Sequence, residues 1–503
     1  MTVDNTSTEG NTSKSVRQPP QIHALPVPPN TAFDNIVDLE ETALDEVTGI
    51  FSQLTPASLF YEQPNEIYFT LPSTLYHRFR WTAFPDLSQQ HTEGRREQFV
   101  AVFLNDLRDH CRQWMTARNW PLPTTDRQWL PVVTARLEPD GTQTSMFGII
   151  LVQSGAAADW STALCDVQIV KSADRMPEAV RNLSTTAAYV FASQDNCLYH
   201  VGLAFAGEEF TIVIHDRAGR AKFVRREIHK HALLIVRLMV ALTLVDKTPL
   251  GRDPTITRRA DGVRLLTVNE VEYEIVDRLF SSAHVRGRGT VCWRCRRSGR
   301  DEDYVIKSAW VDRRRTETEA SILKRTEGVF GVPSLVDHEI VANADGSRIS
   351  THLFRDCLRL LGRQKELQDV EILELHRLVM QPYGIPLTDF RSKEELLSGM
   401  RDAVAAHWGL WDDRDILHCD ISDNNVLLRG DEPEERLRHG LLIDFDCATH
   451  VRGSYKTAPS DHKAGTLPYM SHTALMHPEV PHSRAHDLES FLYVLMWICT
   501  SYN

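Results

Sequence analysis

Two polar residues, Asp420 and Asn425, sit five apart between apolar runs in the stretch from Ile416 to Leu428, ILHCDISDNNVLL. A loop closed by short strands can hold such a pair so that the carboxylate accepts the proton of a substrate hydroxyl while the amide oxygen faces a divalent cation. Alone, the spacing is weak evidence, because Asp and Asn in loops are more often turn formers. A second carboxylate changes the reading. Asp444 ends the apolar run Leu441-Leu442-Ile443 and is placed to chelate magnesium. Upstream, Tyr304-Val305-Ile306-Lys307 has the form of a strand that delivers a lysine to phosphates. Glu319-Ala320-Ser321-Ile322-Leu323 has that of a helix offering the lysine a glutamate, with Glu317 as fallback on another helix face. In this order the groups supply what phosphoryl transfer from ATP needs: a cation on the phosphates, oxygen ligands for Mg2+, and a group to orient the attacking hydroxyl.

Elements on either side must hold these groups in place. Apolar residues at Phe99, Val100, Phe103, Leu104, Leu107 and Trp114 predict a helix over Arg95 to Arg118, followed by strands around Leu130 to Val133 and Phe147 to Val152. Phe210 to Ile214 and Ala221 to Val224 read as a hairpin, and Ala232 to Val245 as a buried helix. The Pro-, Gly- and charge-rich segment from Asp246 to Gly262 marks a boundary. The expected organisation is a flexible tail over residues 1–30, an α+β domain over 31–250, and a second domain over 260–503.

Composition narrows the class. A chain of 503 residues with 42% apolar residues supports real cores, and a net charge of −12 gives no general electrostatic reason to bind nucleic acid. The absence of a basic leader with an apolar core, and the Arg237 interruption of the most apolar window, argue for an intracellular chain, in cytoplasm or nucleus, without a membrane span. Nine scattered cysteines suit a reducing compartment. Cys292 and Cys295 have zinc-like spacing, but no second pair stands near them and VCWRCR alternates as a strand does. Asp166 in an extended run ending at Lys171 suggests a nuclease-like unit. The second carboxylate is missing, so an ordinary edge strand is expected there.

The runs VMQPYGIPL, ILHCDISDNNVLL, LLIDFDCA, GTLPYMS and HDLESFLYVLMWIC together resemble the fungal-type protein kinase family over about residues 260–503, and FTIVIHDRAG and LGRDPTI resemble its amino-terminal region more loosely. The resemblance implies an α+β fold: a bilobal protein-kinase-like domain, dividing near 380–385 and lacking its last helices, preceded by a separate α+β accessory domain. It implies a serine/threonine protein kinase with ATP and Mg2+ as cofactors and a protein as substrate. It also implies a hinge from Met380 to Gly384, with backbone groups near Gln381 and Tyr383 against adenine, and a loop over the phosphates containing Gly287, Gly289 and Val291.

The pattern departs from the usual one in several places. His284 and Arg286 stand where two loop glycines would be, so Arg286 and Arg288 are candidates to contact phosphate instead. Cys419 replaces an arginine that would pair with a phosphorylated segment. Ser422 replaces a lysine, and Asp446 replaces a glycine, which limits flipping of the loop and adds a charge near the metal. With Asn503 as the last residue, the later helices of a kinase are not expected, and a partner, self-association or an incomplete gene model must account for the apolar face of FLYVLMWI. Two rivals follow: a pseudokinase or nucleotide-binding interaction module, and a small-molecule kinase of the aminoglycoside or choline type, which lacks the GTLPYMS and HDLES segments.

Overall fold

A short hairpin, formed by two of the strands named next, stands apart from two large sheets. In the computed structural model the described residues are 20–25, 41–44, 57–244, 250–354, 371–431, 436–450 and 465–501, apart from 90, 91, 93, 125, 138–141 and 478. The strands of the first half are β1 (His23–Leu25), β2 (Glu41–Leu44), the hairpin β3 (Tyr76–His77) and β4 (Arg80–Trp81), β5 (Arg127–Leu137), β6 (Gln143–Gln153), β7 (Cys165–Val170), β8 (Tyr199–Ala206), β9 (Glu209–Asp216), β10 (Gly219–Phe223) and β11 (Arg226–Glu227). Except for the hairpin they form one mixed sheet in the order β1-β5-β6-β7-β8-β9-β10-β2, with β11 beside β9.

Helices α1 (Ala57–Phe69), α2 (Arg95–Ala117), α3 (Met176–Ser193) and α4 (Ala232–Thr243) flank this sheet. Period-two alternation decides which helix each strand residue meets. Ile149 and Leu151 join Phe103, Leu107, Val236 and Met239 of α2 and α4 in one core. Ile150 and Val152 face the other way, with Tyr189 and Val190 of α3. The helix expected over Arg95 to Arg118 is thus present as α2.

Two readings of this half are corrected. Part of the expected tail, His23–Leu25, is a strand paired in parallel with Val132–Thr134, and Leu25 is buried; the rest of residues 1–30, apart from 20–22, lies outside the described residues. A short apolar segment can be ordered by a distant sheet edge that no local pattern reveals. Nor is β7 an edge strand: it pairs with β6 on one side and β8 on the other, and all its residues are buried.

The second sheet is antiparallel throughout, in the order β12-β13-β14-β15-β16-β18-β17. Its strands are β12 (Ile256–Arg258), β13 (Arg264–Val268), β14 (Val271–Ser281), β15 (Val291–Arg297), β16 (Asp303–Asp312), β17 (Ser334–Ile340) and β18 (Leu373–Gln381). Cys292 and Cys295 lie on β15 as free thiols, and neither joins the clusters of possible metal ligands among the described residues.

Helix α5 (Glu319–Arg325) is started by a reciprocal capping box between Thr318 and Ser321. Beyond the second sheet come β19 (Gly384–Pro386), α6 (Lys393–Arg414), β20 (Ile416–Leu417), β21 (Val426–Arg429), β22 (Gly440–Leu442), β23 (Thr449–His450), α7 (His472–Met476) and α8 (Arg484–Ser501). One core joins Leu323 of α5, Leu378 of β18, Ile421, Phe445 and Phe491 of α8. No helix among the described residues is long and apolar enough to cross a membrane.

Candidate active site

Strand β16 carries Lys307 inward, where its ammonium meets two carboxylates: Glu319 Oε2 at 2.6 Å and Asp444 Oδ1 at 2.8 Å. Glu319 opens α5, whose capping box fixes the helix start. Its Oε1 also accepts the Phe445 N–H at 3.2 Å. Glu317 pairs instead with Arg325. Asp444 leaves β22 with a positive φ of 64°, which turns its carboxylate off the strand line while Phe445 plugs into the core. Burial alone would lower the Lys307 pKa, but Asp444 and Glu319 raise it well above the usual lysine range. Burial would raise Asp444, yet Lys307 and Arg288 hold it well below the usual carboxylate range, whereas burial pushes Glu319 up.

Asp420 approaches from the loop between β20 and β21. Its Oδ1 accepts the Thr466 N–H at 2.9 Å and the Thr466 hydroxyl at 2.8 Å. Asn425 donates its amide nitrogen to the Asp420 carbonyl at 2.7 Å. That bond fixes which end of the amide is used and leaves the Asn425 oxygen available to a cation. Asp444 keeps a quarter of its side chain exposed. Asn425 and Asp444 therefore offer oxygen donors of the type a hard divalent ion takes, and the residues present fit Mg2+.

The loop rests on an internal brace. Asp487, at the start of α8, accepts the backbone N–H groups of His418 at 3.1 Å and Cys419 at 3.2 Å. His407 and His482 hydrogen-bond the same carboxylate at 2.9 and 2.7 Å. Burial would raise the Asp487 pKa, and these two imidazoles hold it well below the usual range. His418 donates Nε2–H to the Ile443 carbonyl at 2.9 Å and accepts the Asp420 N–H at Nδ1. Burial lowers its pKa and so keeps the neutral tautomer those two bonds require. Cys419 is buried at a φ of 65°, and burial raises its thiol pKa. Ser422 is buried, and its carbonyl accepts the Asn425 N–H.

The remaining predicted residues are distributed differently. Met380 sits in β18 between β16 and β17. Gln381 donates to the Asp303 carbonyl at 3.3 Å. The Tyr383 carbonyl accepts Gly430 N–H, and its ring lies under Arg294 at 4.6 Å. Val291 is buried in the core of the second sheet. The N–H of Gly287, expected to face phosphate, is taken by the Arg217 carbonyl at 2.8 Å, and Gly289 packs against the Arg217 guanidinium.

Asp446 is buried, bonded by Arg288 and Arg315; Arg315 Nη1 lies 2.8 Å from its Oδ1. Sequence reasoning missed Arg315 and the hold of Thr466 on Asp420. A signal for the first existed: a second Asp after Ile-Asp-Phe needs a cation once buried, and Arg313-Arg314-Arg315 supplies one. Asp166, by contrast, is sealed in the first sheet, bonded to His200 at 2.8 Å and Thr186 at 2.6 Å. It lies away from the polar cavity of about 490 Å³ that Lys171 lines with Arg96, Glu97, Arg175 and Arg181.

The strand lysine held by a helix glutamate, the loop Asp–Asn pair and the strand-end carboxylate expected from the sequence are all present in this arrangement. The profile described as fungal protein kinase matches residues 149–499, and the chain belongs to that family. The match begins inside β6, so most of the first sheet is part of it. No curated protein matches the chain. Among solved structures, the PK-1 kinase of the Cydia pomonella granulovirus aligns at 15% identity with a TM-score of 0.29, over 45% of this chain and 70% of that one.

Proposed function

We propose that the chain is an ATP- and Mg2+-dependent protein kinase that transfers the γ-phosphate to a serine or threonine hydroxyl of a protein. The observation that carries this reading is Lys307 held between Glu319 and Asp444. A lysine fixed in that way presents its charge to the α and β phosphates without a search through rotamers. Asp420, set by Thr466, orients the acceptor hydroxyl and takes its proton, and Asn425 and Asp444 hold the metal. Bound Mg2+ would neutralise charge on the phosphate oxygens. The adenine would lie by Met380, Gln381 and Tyr383. Residues 31–250 would serve as an accessory domain. The exposed Leu492, Met496 and Trp497 of α8 would be covered by a partner or a second copy.

The test is transfer of labelled γ-phosphate to a mixed protein pool by the purified chain and by Asp420→Asn. Transfer by the parent, with a drop of about 10²- to 10⁴-fold in a variant that stays folded, supports the reading. Equal transfer by both would defeat the role of Asp420. A second reading, a pseudokinase or interaction module, is favoured by one observation: Arg288 reaches across the site to Asp446 and lies 3.8 Å from Asp444. A folded parent that gives no transfer with any acceptor, and no thermal shift with Mg-ATP, would put that reading first.

A further inference from the structure

The turn between β14 and β15, residues 282–290, is where the kinase reading places the cover over the nucleotide phosphates. Its anchor lies outside the second sheet. Val285 is fully buried, in a cluster with Leu25, Val132, Ile150, Tyr189 and Phe191 of the first half. Arg217, in the turn between β9 and β10, closes a clasp over it. The guanidinium donates to the His284 carbonyl, and the Arg217 carbonyl accepts Gly287 N–H at 2.8 Å. The same guanidinium lies over the Phe191 ring at 4.2 Å. A Cβ at Gly289 would collide with it, so glycine is needed there for the approach of Arg217 as well as for a φ of 47°.

Arg288 lies between the two glycines and is turned back to the site. Its backbone carbonyl accepts Trp310 N–H at 2.8 Å, while its guanidinium bonds Asp446 within 3.8 Å of Asp444. Two facts make Arg288 a cation that can change partners. Its side chain is about half exposed, at 46%. Asp446, once Arg288 leaves, still has Arg315 at 2.8 Å and is not stranded as a buried lone charge.

We propose that Arg288 is the residue that contacts nucleotide phosphate in place of the missing loop glycines, and that the first half of the chain positions it through the Val285–Arg217 clasp. Affinity for the phosphates is then a joint property of both sheets. This rests on the kinase reading of the same site.

The experiment measures binding of Mg-ATP and of adenosine to the full chain by calorimetry, for the parent, Arg288→Ala, Arg217→Ala, Val285→Ala and the double variant Arg217→Ala/Arg288→Ala. Arg288→Ala is expected to weaken Mg-ATP about ten- to a hundredfold and leave adenosine unchanged, as loss of a charged hydrogen bond should. Arg217→Ala should weaken Mg-ATP in the same direction, and the double variant should be no weaker than Arg288→Ala, because the clasp acts only through that arginine. If Arg217→Ala does not fold, Val285→Ala carries the same comparison. Folded clasp variants that bind Mg-ATP like the parent, or additive losses in the double variant, would overturn the proposal alone. A folded parent that binds neither ligand would overturn the kinase reading together with it.

Discussion

Both sheets bury polar groups on their central strands, but they do so in different ways. In the first, His200 on β8 and Thr186 on α3 both bond the Asp166 carboxylate on β7, with the His200 and Asp166 side chains at 0% and 1% exposure. Ser184 and His215 form a similar link at 3.1 Å, and burial holds His215 well below its usual pKa. In the second, Lys307, Glu319, Asp444, Asp446, Arg288 and Arg315 converge from a strand, a helix, a loop and two turns, and part of that cluster is open to water. Burial of a charge therefore does not by itself mark a site. What distinguishes the second cluster is that separately positioned segments meet there and that Arg288 and Asp444 keep part of their side chains exposed.

The largest effect that would break this comparison is loss of chemistry without loss of fold. Asp444→Ala should abolish phosphoryl transfer while the far-ultraviolet circular dichroism and melting temperature stay close to the parent's. Retained transfer would remove Asp444 from the site. Next in size, Asp166→Asn should cost about 1–3 kcal/mol of stability by leaving a sealed hydrogen-bond partner badly matched. Transfer per folded molecule should not change, and a selective loss of activity would mean the first cluster is not merely structural.

The smallest effect sharpens the boundary inside the second region. Glu395 and Arg438 form a sealed pair at 2.8 Å, and the hydrogen bonds from Arg438 hold Glu395 down from 4.5 to about 2. A carboxylate with a lowered folded pKa stabilises the protein above 4.5, and that contribution is lost as pH falls from 4.5 through about 2. Denaturant midpoints measured over this window should fall less steeply for Glu395→Gln than for the parent. An identical slope would show that the pair contributes nothing to acid stability.

The residues that could do chemistry were legible because each lies in a short signature whose spacing is set locally: a lysine ending an apolar run, an Asp and Asn across one loop, a carboxylate at a strand end. Helix α2 was legible for the same reason, since its burial follows a 3.6-residue period. The features the sequence hid depend on partners far apart along the chain. Nothing near His23–Leu25 announces β5 more than a hundred residues on, and nothing near Gly287 announces Arg217. The central place of β7 was hidden because an all-buried strand and an apolar edge read alike until the neighbours are known. Arg217 shows the limit most clearly: as part of His215-Asp216-Arg217-Ala218-Gly219 it reads as an ordinary turn residue, yet its side chain crosses to another sheet.

The seat of Val285 also sets an order of events during synthesis. Every other residue in its cluster, from Leu25 to Cys197, leaves the ribosome before Val285 does. Domains that emerge first fold first. The docking surface for the turn can therefore be complete when the turn appears, and β14 and β15 would then grow from an end already tethered. The nascent amino-terminal half would act as an internal template, shortening the search that pairs the first strands of the second sheet.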